Sequence, residues 1–245
     1  MIAGPEYRPT PADAGEYREA GNRAVRPRDA ATLIVVRKDG DTPRVLMGQR
    51  AAGHKFMPNK FVFPGGRVDP CDGRLRPPHD LEPAVMARLR RGCSETRARA
   101  LAMAAIRETY EETGLVLGEP HTPTLRSRSP QWRDFLRFGV NPRLDTLHLV
   151  ARAITPPYRN RRFDARFFMA DAELIQGEVH ERPQGSGELL RLHWVSLRDA
   201  EALELPGITR VVLAEVERRL REGYAPEDPG PFVHFRHGKP VVDEI

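Results

Sequence analysis

Arg107-Glu108-Thr109-Tyr110-Glu111-Glu112-Thr113-Gly114-Leu115 places three carboxylates, Glu108, Glu111 and Glu112, at positions i, i+3 and i+4. On a helix turning about 100° per residue they share one face. Like charges at that spacing repel, so the face needs a partner. A hard divalent cation bound through oxygen is one; water around an ordinary acidic surface is the plainer one. Residues 94–106 are rich in Ala, Leu and Met and favour helix. Ser94 is expected as its N-cap and Gly114 as its terminating glycine.

Upstream stands Phe63-Pro64-Gly65-Gly66-Arg67-Val68-Asp69-Pro70-Cys71-Asp72. Together the two pieces resemble the Nudix box: a glycine, five residues, Glu, seven residues, then Arg-Glu-apolar-x-Glu-Glu-x-Gly-apolar. Gly66 takes the glycine position and Asp72 the first Glu, while Arg107, Glu108, Glu111, Glu112, Gly114 and Leu115 fit the remainder. There are three departures: Asp72 replaces Glu, Thr109 replaces the apolar residue, and 34 residues separate Asp72 from Arg107. Val45-Leu46-Met47-Gly48-Gln49-Arg50, Phe56-Met57-Pro58, Phe61-Val62-Phe63, Arg161-Arg162-Phe163-Asp164 and Arg166-Phe167-Phe168 are similar to one branch of that family. The branch includes the mammalian peroxisomal coenzyme A diphosphatases, one class of which has a long insertion at this point. The resemblance runs from about residue 31 to residue 203.

The resemblance implies an α/β (α+β) Nudix fold, a mixed β-sheet sandwiched between helices, with an inserted helical segment. It implies Mg²⁺ or Mn²⁺ as cofactor. Glu108 and Glu112 would ligate the main ion with the Gly66 carbonyl, and Glu111 would hold a second ion directly or through water. Arg107 would pair with a box carboxylate and fix its rotamer, with Asp72 in support. Some family members use a further acid from a loop outside the box. Glu188, ahead of Trp194, is the candidate catalytic base; Glu181 and Glu178 are rivals, and an ordinary loop glutamate is the plain alternative. Arg50, Phe56, Arg67, Arg161 and Arg162 are the candidate substrate contacts.

The implied reaction is hydrolysis of the diphosphate linkage of coenzyme A or acyl-CoA, giving 3′,5′-ADP and (acyl-)4′-phosphopantetheine. ADP-ribose, NADH and dinucleotides are the enzymatic alternatives. A non-catalytic nucleotide sensor of the same fold is the alternative from another class. Such sensors commonly lose box glutamates, and all three are present here.

Bulk composition is consistent with this. The chain has 245 residues, 40% hydrophobic and 30% charged, which suits a soluble domain with a sizeable core. No apolar run approaches the ~20 residues that span a bilayer, and the N-terminal stretch lacks a secretory signal's apolar core. The final Asp243-Glu244-Ile245 is not the Ser-Lys-Leu peroxisomal signal. Cys71 and Cys93 make neither a disulfide framework nor a zinc site. They flank the insertion, so a bond is conceivable, and reduced thiols in a cytoplasmic protein are the expectation. The net charge of +5 suits an anionic substrate. No basic run is interleaved with aromatics, so neither nucleic acid nor membrane is an expected partner; homodimerisation stays open.

The expected division is an arm over 1–28, a Nudix domain over 29–223 with an insertion at about 73–93, and a tail over 224–245. Strands are expected at 31–37, 43–50 (across an Asp39-Gly40-Asp41 turn), 60–63, 115–117, 146–154 and 163–170. Another follows the alternation Leu190, Leu192, Trp194. The insertion should hold a helix capped by Asp80 and ending near Gly92, whose Arg88, Arg90 and Arg91 either reach phosphates or form a solvated face. Ser129-Pro130 should open a helix to about Gly139, burying Trp132, Phe135 and Leu136; base stacking is the alternative for Trp132. Ser196 with Asp199 resembles a capping box. Ile208, Val212, Val216 and Leu220 mark an amphipathic helix closed by Gly223. Residues 232–235 should be a short extended piece.

Overall fold

Thr32, Ile34, Val35 and Val36 favour extended backbone, and strand β1 runs Arg28–Arg37. Ala31, Leu33 and Val35 enter one core and Ile34 and Val36 another, so this strand is covered on both faces. The computed structural model describes residues 23–38, 40, 42–53, 56–122, 125–177 and 187–245. After β1 come β2 (Arg44–Arg50), β3 (Phe61–Val62), β4 (Gly65–Arg67), α1 (Pro83–Arg90) and α2 (Glu95–Thr113). Next are β5 (Glu119–Pro120), α3 (Pro130–Leu136), β6 (Val140–Asn141), β7 (His148–Ile154) and β8 (Phe163–Asp171). The chain closes with β9 (Leu189–Ser196), α4 (Leu197–Ala200), α5 (Gly207–Glu222), β10 (Pro231–Arg236) and β11 (Lys239–Glu244).

The main sheet has the order β11-β10-β7-β8-β1-β2-β3, with β4 added to β1 and β9 to β2. It is mixed: β1 runs parallel to β8 and antiparallel to β2 and β4. Helices α1, α2 and α3 cover one face through Val85, Leu89, Leu101, Ala105, Trp132 and Phe135. Helices α4 and α5 cover the other through Ala200, Val212, Leu213 and Val216. This is the expected mixed sheet between helices. No helix among the described residues is long and apolar enough to cross a membrane.

Several local expectations change. Helix α1 starts at Pro83 with Glu82 at the N-cap, not at Asp80, whose side chain instead pairs with Arg99. Residues 115–117 form no strand; only Leu117 bridges to Ile175. Leu190 is exposed rather than inward, because Arg191 adopts φ 50 opposite an irregularity in β2 and breaks the alternation. The extended piece expected at 232–235 is β10, but the tail around it joins the sheet: β10 pairs with β7, and an unexpected β11 pairs with β10. Residues 1–22 of the expected arm, and Asp39 and Asp41 of the turn, lie outside the described residues. Cys71 and Cys93 are both free thiols.

Candidate functional site

Both ends of α2 are fixed as its sequence suggests. Ser94 Oγ accepts from Arg97 N at 3.3 Å, and Gly114, at φ 75, donates its N–H to Tyr110 O at 2.8 Å. That rigid helix lies against β4, where the two glycines are required by close approach. A Cβ on Gly65 would come within 2.6 Å of Ala31 O and Thr32 Cα, and one on Gly66 would overlap the Glu108 carboxylate. The Gly65 N–H donates to Glu112 Oε2 at 2.8 Å. Thr109, in the box's apolar slot, is buried at no loss because its hydroxyl donates to Ala105 O at 2.8 Å.

Arg107 is the hub. It is buried, and all five of its N–H groups have acceptors. Nε donates to Asp72 Oδ1 at 2.8 Å and Nη2 to Asp72 Oδ2 at 3.0 Å, a bidentate pair. Nη2 also donates to Arg67 O at 2.9 Å. Nη1 donates to Glu108 Oε1 at 2.8 Å and to Glu111 Oε2 at 2.9 Å. The chain therefore loops out after Asp72, through α1, and returns on α2 with the two halves of the box re-joined.

The electrostatics are unbalanced. Burial pushes the Glu108 carboxyl up to about 7 and that of Glu112 up to about 8. For Glu112, the Gly65 hydrogen bond and the Arg50 charge offset this only in part. Burial raises Glu111 as well, and its Oε1 is enclosed with no hydrogen-bond partner. Among the described residues no three His, Cys, Asp or Glu side chains form a ready metal cage. The three glutamates are instead pinned by separate donors, Arg107 and the Gly65 N–H. A divalent cation fits the set: it would supply the positive charge these carboxyls lack and a partner for Glu111 Oε1. All the side-chain donors are hard oxygens of the kind Mg²⁺ and Mn²⁺ take.

The other candidates fall into three groups. Glu188 is exposed on the approach to β9, and its charge raises the Glu111 and Glu112 pKa values, so it stands near the cluster. The rivals Glu178 and Glu181 lie outside the described residues. Arg50 and Phe56 belong together: Arg50 Nη1 donates to Phe56 O at 3.3 Å, and Phe56 meets Phe163 edge-on at 5.1 Å. Because the Arg50 charge also acts on Glu112, this pair borders the cluster. Arg67 joins through its carbonyl, its side chain being exposed.

The arginine loops behave differently from expectation. Arg162 donates to Thr155 O and Val25 O, both at 2.9 Å, and so holds backbone, while Arg161 is exposed. Arg88 is buried and donates to Ile245 O at 3.3 Å and Pro226 O at 3.1 Å, which makes it neither a phosphate contact nor a solvated residue; Arg90 and Arg91 are exposed. Trp132 is fully buried, which rules out base stacking, and its indole contacts Asp72. That contact is missed by sequence reasoning; the available signal is that a buried indole N–H needs an acceptor.

A family model described as NUDIX domain matches residues 26–216. Putative nudix hydrolase 7 of Caenorhabditis elegans is 38% identical over 89 residues, 36% of this chain. The chain spans 22% of the length of that curated relative. The crystal structure of a NUDIX hydrolase from Alicyclobacillus acidocaldarius superposes with a TM-score of 0.59 at 26% identity, covering 77% of this chain and 90% of that one. The NUDIX domain of Shewanella oneidensis NrtR, solved in complex with ADP ribose, is more distant, with a TM-score of 0.42 at 15% identity over 86% of this chain and 99% of that one.

Proposed function

The chain belongs to the NUDIX domain family, and on that premise we propose that it is a divalent-metal-dependent pyrophosphohydrolase of nucleoside diphosphate derivatives, with coenzyme A or acyl-CoA as substrate. One observation carries the reading: Glu112 accepts from the Gly65 N–H, Glu108 lies against Gly66, and Glu108 and Glu111 share the Nη1 of a fully engaged Arg107. A bound divalent cation neutralises phosphoryl oxygens and lowers the pKa of water. The chain's own part is positional. Arg107 and the Gly65 N–H hold the carboxylates in place before substrate arrives, and Glu188 stands by to accept a proton from the attacking water. Arg50 and Phe56 offer a cation and an aromatic face at the edge of the cluster.

Coenzyme A is favoured by the Phe56-Met57-Pro58 segment and by the 34-residue separation of Asp72 from Arg107. Arg161 is the exposed arginine of its loop left to meet the 3′-phosphate. The test is a panel of coenzyme A, ADP-ribose, NADH and a dinucleoside polyphosphate, each with Mg²⁺ or Mn²⁺, with products separated by chromatography. The expected result is release of 3′,5′-ADP and 4′-phosphopantetheine from coenzyme A at the highest kcat/KM of the set. Preference for another member would reassign the substrate. No turnover of any of them would leave a nucleotide-binding module instead of an enzyme.

A further inference from the structure

Asp72 is fully buried, and its lone pairs are filled from two directions. Oδ2 accepts from Arg107 Nη2 at 3.0 Å and from the Asp69 N–H at 2.8 Å. Oδ1 accepts from Arg107 Nε at 2.8 Å and from the indole Nε1–H of Trp132 at 2.9 Å. Trp132 comes from α3, outside the box, and has no exposed surface. The same helix touches α2 again, where the Tyr110 hydroxyl donates to Asp134 Oδ2 at 2.6 Å and the Tyr110 ring meets Phe135 edge-on at 5.5 Å.

Orientation passes along this chain of contacts in one order. With five donors engaged, Arg107 cannot turn without breaking a charge-assisted bond. Its setting is decided by the group that holds it at the far end, which is Asp72. Asp72 in turn is short and tied to the 69–72 turn by its own N–H to Asp69 O at 3.0 Å, so its carboxylate has little reach of its own. The indole is the side chain that fixes it from outside. We propose that Trp132 is a positioning residue: its N–H fixes Asp72, Asp72 fixes Arg107, and Arg107 presents Glu108 and Glu111 to the cation. The inference rests on the metal-site reading of those glutamates.

The experiment compares Trp132→Phe with wild type for Mn²⁺ affinity measured directly by calorimetry, and for kcat and KM at saturating Mn²⁺. The Phe variant should bind Mn²⁺ about 10-fold more weakly and lose kcat, with KM little changed. In an Asp72→Asn background the same substitution should add nothing further, since its route is already cut. Phe135→Leu, in the same core without a polar contact, should lower stability and leave Mn²⁺ affinity as it is. If the Phe variant fails to fold, β-(3-benzothienyl)alanine at position 132 keeps the bicyclic shape without the N–H and takes its place. Unchanged Mn²⁺ affinity, or a loss that adds in full to that of Asp72→Asn, overturns the proposal. Failure of wild type itself to bind Mn²⁺ overturns the metal reading before any variant is compared.

Discussion

Glu112 and Arg107 lie on the same helix yet should respond oppositely to neutralisation. Glu112 is buried with its carboxyl pushed up to about 8, so its charge opposes the fold. Glu112→Gln should lose on the order of 10²–10⁴ in kcat while its melting temperature holds or rises. Near wild-type turnover at saturating Mg²⁺ would refute the assignment of the cluster. Arg107→Met, in contrast, strands the buried Asp72 without a counter-ion and should cost about 3–5 kcal/mol in denaturant unfolding. A loss below about 1 kcal/mol would mean that the pair behaves like an exposed one. Glu188 is exposed and carries no structural contact of this kind, so Glu188→Gln should act on kcat more than on KM. Equal rates for variant and wild type would move the base to Glu181 or remove it.

At the scale of elements, legibility follows how local the deciding contacts are. Helix α2 can be read directly because Ser94, Gly114 and the run between them agree on where it begins and ends. The box can be read across the 34 residues between Asp72 and Arg107 because Gly66, Asp72, Arg107 and Glu112 keep their chemistry whatever lies between. Arg88 cannot, since it resembles its exposed neighbours Arg90 and Arg91 and only a distant segment brings it inside. The extended piece at 232–235 is legible and lies within β10, but its partner β11 is hidden, since Pro226, Pro229 and Pro240 read as loop although Pro240 sits in an edge strand. Gly230 pins that segment, for a Cβ there would strike Val150 O on β7. If Arg88 is a clamp on this segment, Arg88→Met should leave KM for coenzyme A unaltered and speed hydrogen exchange over residues 226–245. A raised KM with unchanged exchange would return Arg88 to the substrate.

The whole molecule turns this imbalance into a pH dependence that can be worked out in sign. Glu108 at about 7 and Glu112 at about 8 hold protons in the metal-free folded state over a range where the unfolded chain, near the ordinary glutamate value, has released them. Their contribution to stability is full below the unfolded value and is lost as pH rises through the folded values. Other groups act outside the useful window or only at its edge. The lowered carboxyls of Asp69, Asp80 and Asp145 matter only in acid. Buried His148, lowered from 6.5, works in the opposite sense only up to about that pH. Cys71, pushed up to about 11 by burial, and Cys93, also raised by burial, act in the same sense as the glutamates from the ordinary thiol range of about 8.5 upward, and so only add to the loss at the upper edge. From pH 7 to 8.5, then, the metal-free protein should lose stability, by an amount on the order of 1 kcal/mol, since one pKa unit corresponds to about 1.4 kcal/mol. Its melting temperature in a chelator should fall across that window. A cation that takes the place of those protons must bind more tightly as they leave, so the rise in melting temperature on adding Mg²⁺ should grow over the same pH range. A melting temperature flat with pH in the chelator, or a Mg²⁺ increment that does not change from 7 to 8.5, would show that these carboxyls are not the ones the cation neutralises.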